Sequence, residues 1–147
     1  MTEDLLIAKL TMIVSQIQHE DDLIGQRTSW LVVSQSFLFG TFVAVIGLHD
    51  RTGMAHSFAR LLFVIIPFVG MLLPIVVLLA VGAAASAIRQ WRFQHDHLCA
   101  TPEGKALDWP RLQHQTRTVA LGHLLPITVA VGFMLAWIII AITLGLV

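Results

Sequence analysis

The chain has 147 residues, of which 56% are hydrophobic and only 12% are charged, about half the charged share of a typical soluble domain. Nine Lys and Arg residues balance nine Asp and Glu residues, so no basic surplus indicates nucleic-acid binding. Cys99 is the only cysteine, which excludes an intrachain disulfide and an all-cysteine zinc site. We therefore expect an all-α integral membrane protein that is embedded in the lipid bilayer.

Residues 1–29 predict a cytoplasmic amphipathic helix. Its apolar side chains recur at spacings of four, three, four and seven residues, with Glu20 at the one interrupted position. Such a stripe packs either on the bilayer surface or on another helix. Five acidic residues against two basic ones disfavour an anionic membrane surface, so we expect helix-to-helix packing. The stripe consists of Leu6, Leu10, Ile13, Ile17 and Ile24.

A three-span transmembrane domain is predicted at residues 30–147, and its first span covers residues 30–48. No proline separates this span from the amphipathic helix, so we expect the two to be continuous. Trp30 is placed as an interfacial anchor, with Arg27 one turn outside it. Gln35 is the most polar side chain inside the span, and it either bonds to a neighbouring helix or lines a pore.

The second span is predicted at residues 58–88, because 28 residues without a charge run from Leu61 to Ile88. This length exceeds what is needed to cross a hydrocarbon core of about 30 Å. Pro67, Gly70 and Pro74 share one face of the helix. Each proline deprives the carbonyl four residues earlier of its usual donor, and in lipid that carbonyl needs another partner. The face therefore predicts kinked packing or, alternatively, a hydrated pathway or gate.

A loop at residues 89–118 and a third span at residues 119–147 complete the domain. The N-terminal segment and this loop lie on one side of the membrane and hold seven Lys and Arg residues, whereas the other side holds two, Arg51 and Arg60. The excess of basic residues predicts a cytoplasmic N-terminus and an external C-terminus.

Small residues recur at four-residue spacing in the first and third spans, and such faces let membrane helices approach closely. Since three spans alone cannot enclose a pathway, we expect a homo-oligomer. The residues of these two faces are Ser36, Gly40 and Ala44, and Thr128, Gly132 and Ala136.

The acidic triplet Glu20, Asp21 and Asp22 stands one to two turns before the first span. In a single chain it is a solvated surface. In a homo-oligomer with the first helices around an axis, it would form a ring of carboxylates that concentrates cations.

No pattern in the sequence indicates catalysis or a cofactor. His95, His97 and Cys99 are weak metal candidates, because alternate positions do not share a helical face. No Gly-flanked serine, phosphate-binding loop or dinucleotide fingerprint occurs. We therefore expect no enzymatic activity, no catalytic residues and no bound metal.

The combined pattern favours a homo-oligomeric channel or transport-like assembly. The alternative is a non-catalytic accessory or scaffold subunit that joins another membrane protein in a larger complex. The acidic amphipathic helix, Arg27 and Trp30 three residues apart, and the proline-containing second span resemble small bacterial membrane proteins. This resemblance implies a bacterial inner membrane as the location and carries no activity with it.

Overall fold

The computed structural model describes residues 3–48, 54–109 and 116–145. Of these residues 95% are helical, and no strand occurs among them, which confirms the predicted all-α class. Arg51 and Arg111, which enter the count of basic residues, lie outside the described part. The helices are α1 (Glu3–Leu48), α2 (Met54–Ala100), α3 (Pro102–Ala106) and α4 (Thr116–Thr143).

Three of these helices are long and apolar enough to cross a membrane. The qualifying segments are Glu3–Gly47, Phe58–Ala100 and Leu124–Thr143. They correspond to the three predicted spans, and the third contains Pro126 inside the helix. Large apolar side chains on these segments point outward, among them Phe37 at 72% exposure and Phe68 at 65%. Such side chains suit contact with lipid, because apolar surface has no cost in hydrocarbon.

Helix α1 runs without a break for 46 residues, as predicted from the absence of a stop before Trp30. At 1.5 Å per residue it is about 69 Å long, more than twice the thickness of a hydrocarbon core. The predicted boundary between residues 29 and 30 therefore falls inside one helix. Trp30 lies at this boundary with 66% of its surface exposed, as an interfacial anchor requires.

Helix α2 is equally long, with 47 residues, and includes Pro67 and Pro74. It continues beyond the uncharged run to Ala100, so the first part of the 89–118 loop is helical. The chain then turns at Thr101, whose side-chain oxygen accepts a hydrogen bond from the Gly104 amide at 3.2 Å and caps α3. A Cβ atom at Gly104 would clash with the Leu98 carbonyl, so only glycine lets α3 fold back so closely on α2.

The N-terminal half of α1 packs on the C-terminal half of α2. All five side chains of the apolar stripe are buried, none with more than 6% exposure. Ile13, Ile17 and Ile24 form one cluster with Val81, Ala84 and Ile88 of α2. The expected helix-to-helix packing is confirmed, and the partner helix belongs to the same chain. We call this paired region, residues 3–26 with residues 81–100, the projection; it includes residues 81–88, the last eight residues of the predicted second span.

Helix α4 completes the membrane part by packing on α2 and α1. Trp137 of α4 is completely buried. Its cluster includes Phe42 and Val45 of α1 together with Ala59 and Ile66 of α2. The core of the membrane part is thus formed by three helices, whereas the core of the projection is formed by two.

The buried stripe generates a prediction for the stability of the projection. Ile13→Ala removes a side chain with 0% exposure and should destabilise the α1–α2 pairing by about 2–5 kcal/mol. Hydrogen–deuterium exchange of the full chain in detergent should show faster exchange of the neighbouring α1 amides.

Met12→Ala is the matched control, because Met12 is 49% exposed and should change the stability by less than about 0.5 kcal/mol. Equal exchange in the two variants would contradict the pairing of the stripe with α2.

Candidate functional site: a buried polar centre

The polar centre of the membrane part begins with Pro74. Proline has no backbone N–H, so the Gly70 carbonyl loses the donor that a regular helix supplies. The side chain of Gln35 on α1 replaces this donor: its Nε2 donates to the Gly70 oxygen at 3.0 Å. Gln35 is completely buried. A side chain of one span therefore satisfies the backbone group that a proline of another span left open.

Trp137 joins the third long helix to this pair. Its indole Nε1 donates to the Gln35 Oε1 at 2.6 Å. The Gly70 carbonyl can only accept and the indole N–H can only donate, so the Gln35 amide nitrogen faces Gly70 and its oxygen faces Trp137. We call Gln35, Gly70, Pro74 and Trp137 the Gln35 node.

The position of the indole depends on the glycine of this node. A Cβ atom at Gly70 would clash with the Trp137 ring, so the absence of a side chain lets the indole lie against the α2 backbone. Phe39 stacks on the indole with centroids 4.5 Å apart and planes within 2°. Phe42 meets it edge-on at 5.6 Å. Such pairs add about 0.5–1.5 kcal/mol each to the burial term.

The residues predicted to line a pore or gate fall into two groups. Gln35, Pro67, Gly70 and Pro74 are buried between helices of the same chain. For Gln35 the sequence left two alternatives, a bond to a neighbouring helix or a place in a pore lining. The hydrogen bond to Gly70 of α2 is the first of these. A role of these four residues in a pore or gate stays a prediction.

The second group is the acidic triplet on α1. Asp21 and Asp22 are exposed, and Glu20 is half-buried. Among the described residues these three carboxylates make no ion pair with a basic side chain. They lie on the surface of the projection, next to the start of the first span.

Within the described residues, the two small-residue faces lie mostly outside the packed core of the chain. A Cβ atom at Gly40 or at Gly132 would meet nothing within 4 Å. These faces are turned away from the three-helix core, so they are open to lipid or to another chain. The residues Ser36, Gly40, Ala44, Thr128 and Gly132 are exposed, and Ala136 is half-buried.

The regular helix brings two of the weak metal candidates, His95 and Cys99, to one face and separates His97 from them. His95 is completely buried, and its Nδ1 lies 3.8 Å from the Cys99 sulfur. His97 points to the exposed side of α2. Over the described residues, no three His, Cys, Asp or Glu side chains are arranged to hold a metal ion.

Trp137 was not predicted from the sequence as a member of the polar centre. The sequence does contain a pattern that points to its role, because a tryptophan inside an apolar span carries an N–H donor that needs an acceptor. Gln35, the most polar side chain inside the first span, offers such an acceptor. Spacing along the chain could not pair them, since the two residues are 102 positions apart.

Comparison with known proteins found no match: no family model, no curated protein and no solved structure matches the chain.

The node generates a prediction for the coupling between Gln35 and Trp137. Trp137→Phe keeps an aromatic ring but removes the N–H donor, and Gln35→Leu removes its acceptor. A double-mutant cycle should give a coupling free energy of about 0.6–1.7 kcal/mol, the range found for hydrogen bonds between membrane helices. Unfolding of the full chain in mixed detergent–SDS micelles measures it.

Trp30→Phe serves as the control in the same cycle, because Trp30 is 66% exposed and should not couple to Gln35. A coupling as large for Trp30 as for Trp137 would show that the cycle does not report the hydrogen bond.

Proposed function

We propose that this chain is a non-catalytic structural subunit of a membrane assembly, with the three-helix membrane part as its anchor. The observation that carries the proposal is the closed Gln35 node. The amide of Gln35 has a partner at each end, and both partners belong to the same chain. A polar centre of this kind stabilises one arrangement of the three helices, because both the amide nitrogen and the amide oxygen of Gln35 are bonded within the chain.

The projection supports the same proposal. Residues 3–26 of α1 extend about 36 Å along the helix axis at 1.5 Å per residue. The projection has its own apolar contacts, so it can hold a partner at a fixed distance from the bilayer. Outside the membrane part, it exposes Leu5 at 57%, Met12 at 49% and Phe93 at 73%. Leu5 and Met12 are seven residues apart and thus share a face of α1.

Lateral association in the bilayer would use the small-residue faces. Gly40 and Gly132 have no neighbours within 4 Å of a Cβ atom, and close backbone approach is what such residues permit. In the orientation that the basic residues favour, the projection lies in the cytoplasm. We place this assembly in a bacterial inner membrane, with a second copy of the chain as its first partner.

Gly40→Leu tests the assembly. A leucine inserts bulk where two chains would approach most closely, so the particle mass in nanodiscs should fall from an oligomer to a single chain. Light scattering coupled to size-exclusion chromatography measures the mass. Gly25→Leu is the matched control, since Gly25 also has nothing within 4 Å but lies on the projection. A wild-type chain that is monomeric, or equal masses for both variants, would remove this face from any interface.

The second candidate function is a homo-oligomeric channel, and the unpaired charge of the acidic triplet favours it. If the first helices surround an axis, the carboxylates of Glu20, Asp21 and Asp22 repeat around its mouth. Cations would be enriched there, and the enrichment would weaken with salt because screening acts over about 8 Å at physiological ionic strength.

Planar bilayer recordings of verified oligomer separate the two functions. The structural subunit should give no conductance across pH, calcium concentration and voltage. A channel should conduct and lose cation selectivity, most strongly at low ionic strength, when Glu20→Gln, Asp21→Asn and Asp22→Asn are combined. Glu3→Gln with Asp4→Asn is the control pair, because these carboxylates lie about 26 Å further along α1. Conductance through the wild-type protein would overturn the first proposal, that the chain is a structural subunit.

A further inference from the structure

A cleft between α1 and α2 lies at the start of the first span. Its volume is about 210 Å³, below the 300–1,000 Å³ that encloses a whole small ligand. The lining is apolar apart from Arg27 and Ser34, and the cleft is open on one side. It therefore suits a segment of a longer molecule whose remainder stays outside. The lining residues are Arg27, Trp30, Leu31, Ser34, Leu73 and Val77.

Arg27 gives this apolar cleft one positive end. Its Nη1 donates to the Ala80 carbonyl at 3.2 Å, which fixes the guanidinium against α2. That bond uses one of the five N–H donors of an arginine. Within the part of the chain that the structure describes, no carboxylate forms an ion pair with Arg27. A half-buried cation without an acidic protein partner calls for an anion from outside the chain.

The position of the cleft identifies the source of that anion. Trp30 lines the cleft and is 66% exposed, and tryptophans of this kind sit at the level of lipid headgroups. Leu31, Leu73 and Val77 continue the cleft from there into the membrane part. Charge at the headgroup level followed by an apolar groove at the acyl level is complementary to one lipid molecule.

We propose that this cleft binds an anionic phospholipid in the leaflet on the N-terminal side. The phosphate group contacts the Arg27 guanidinium, and a segment of one acyl chain lies in the groove along Leu31, Leu73 and Val77. Guanidinium–phosphate hydrogen bonds are charge-assisted and can be bidentate. A zwitterionic lipid gains less from this contact, because its own cation competes for the phosphate. The site is independent of the oligomeric state and thus of the proposed function.

Native mass spectrometry of the full chain in detergent tests the site. Phosphatidylglycerol and phosphatidylcholine with identical acyl chains are added in separate titrations. The first phosphatidylglycerol should bind wild type about tenfold more tightly than the first phosphatidylcholine, as expected for a charge-assisted contact. Arg27→Gln should abolish this preference, and Arg27→Lys, which keeps the charge, should retain most of it. Persistence of the preference in Arg27→Gln would overturn the proposal.

Two further variants locate the site. Arg60→Gln removes an exposed arginine near the opposite end of the membrane part and should leave the preference unchanged. Ser34→Leu fills the groove and should weaken the first binding event of both lipids. An excess of glycerol phosphate, which offers the phosphate without acyl chains, should not displace phosphatidylglycerol. Displacement by it, loss of preference in Arg60→Gln, or unchanged binding to Ser34→Leu would each contradict a lipid in this cleft.

Discussion

The membrane part of this protein depends on the carbonyl that Pro74 leaves open at Gly70. In hydrocarbon no water can satisfy such a group, and leaving it unpaired costs several kcal/mol. Gln35 supplies the donor, but its own amide oxygen then needs a donor too. Trp137 meets that second need. Because of one proline on α2, a polar side chain on α1 is needed, and that side chain in turn needs an N–H group on α4. The resulting two hydrogen bonds connect all three spans.

The same bond fixes the register of the antiparallel pair far beyond the node. From Gln35 to Arg27 the chain goes back eight residues on α1, and from Gly70 to Ala80 it advances ten on α2, where the next bond between the helices forms. Because both helices continue without a break, nearly equal steps place Ile17 and Ile24 in one cluster with Ala84 and Ile88. The alignment of the two helices in the projection follows from that in the membrane part, and the buried stripe of Leu and Ile adds apolar contacts that stabilise the pair.

Sequence patterns were informative wherever the cause lies within one helix. The period of Leu6, Leu10 and Ile13 predicts a buried stripe, and the missing N–H of Pro74 predicts a carbonyl in need of a partner. Which helix supplies the partner depends on distances between helices, and a single sequence does not contain these. The small faces show the limit most clearly. The role of Gly40 and Gly132 at close helix contacts stays a prediction for contacts between chains, whereas within the described chain Gln35, Phe39 and Trp137 make the contacts between helices.

The surfaces that are not buried in contacts within the chain are the ones that can bind other molecules. The apolar stripe was expected to pack on another helix, and that helix is α2 of the same chain, so the stripe does not support an oligomer. Within the described part of the chain, the polar groups of the Gln35 node likewise bond to each other. What the chain leaves open is its exterior: the small faces toward lipid, the cleft at Arg27, and the charged and apolar side chains of the projection. The bonds within the polar centre and the surfaces left open on the described residues support the proposed role as a structural subunit, because each of these surfaces can make further contacts only with a second molecule.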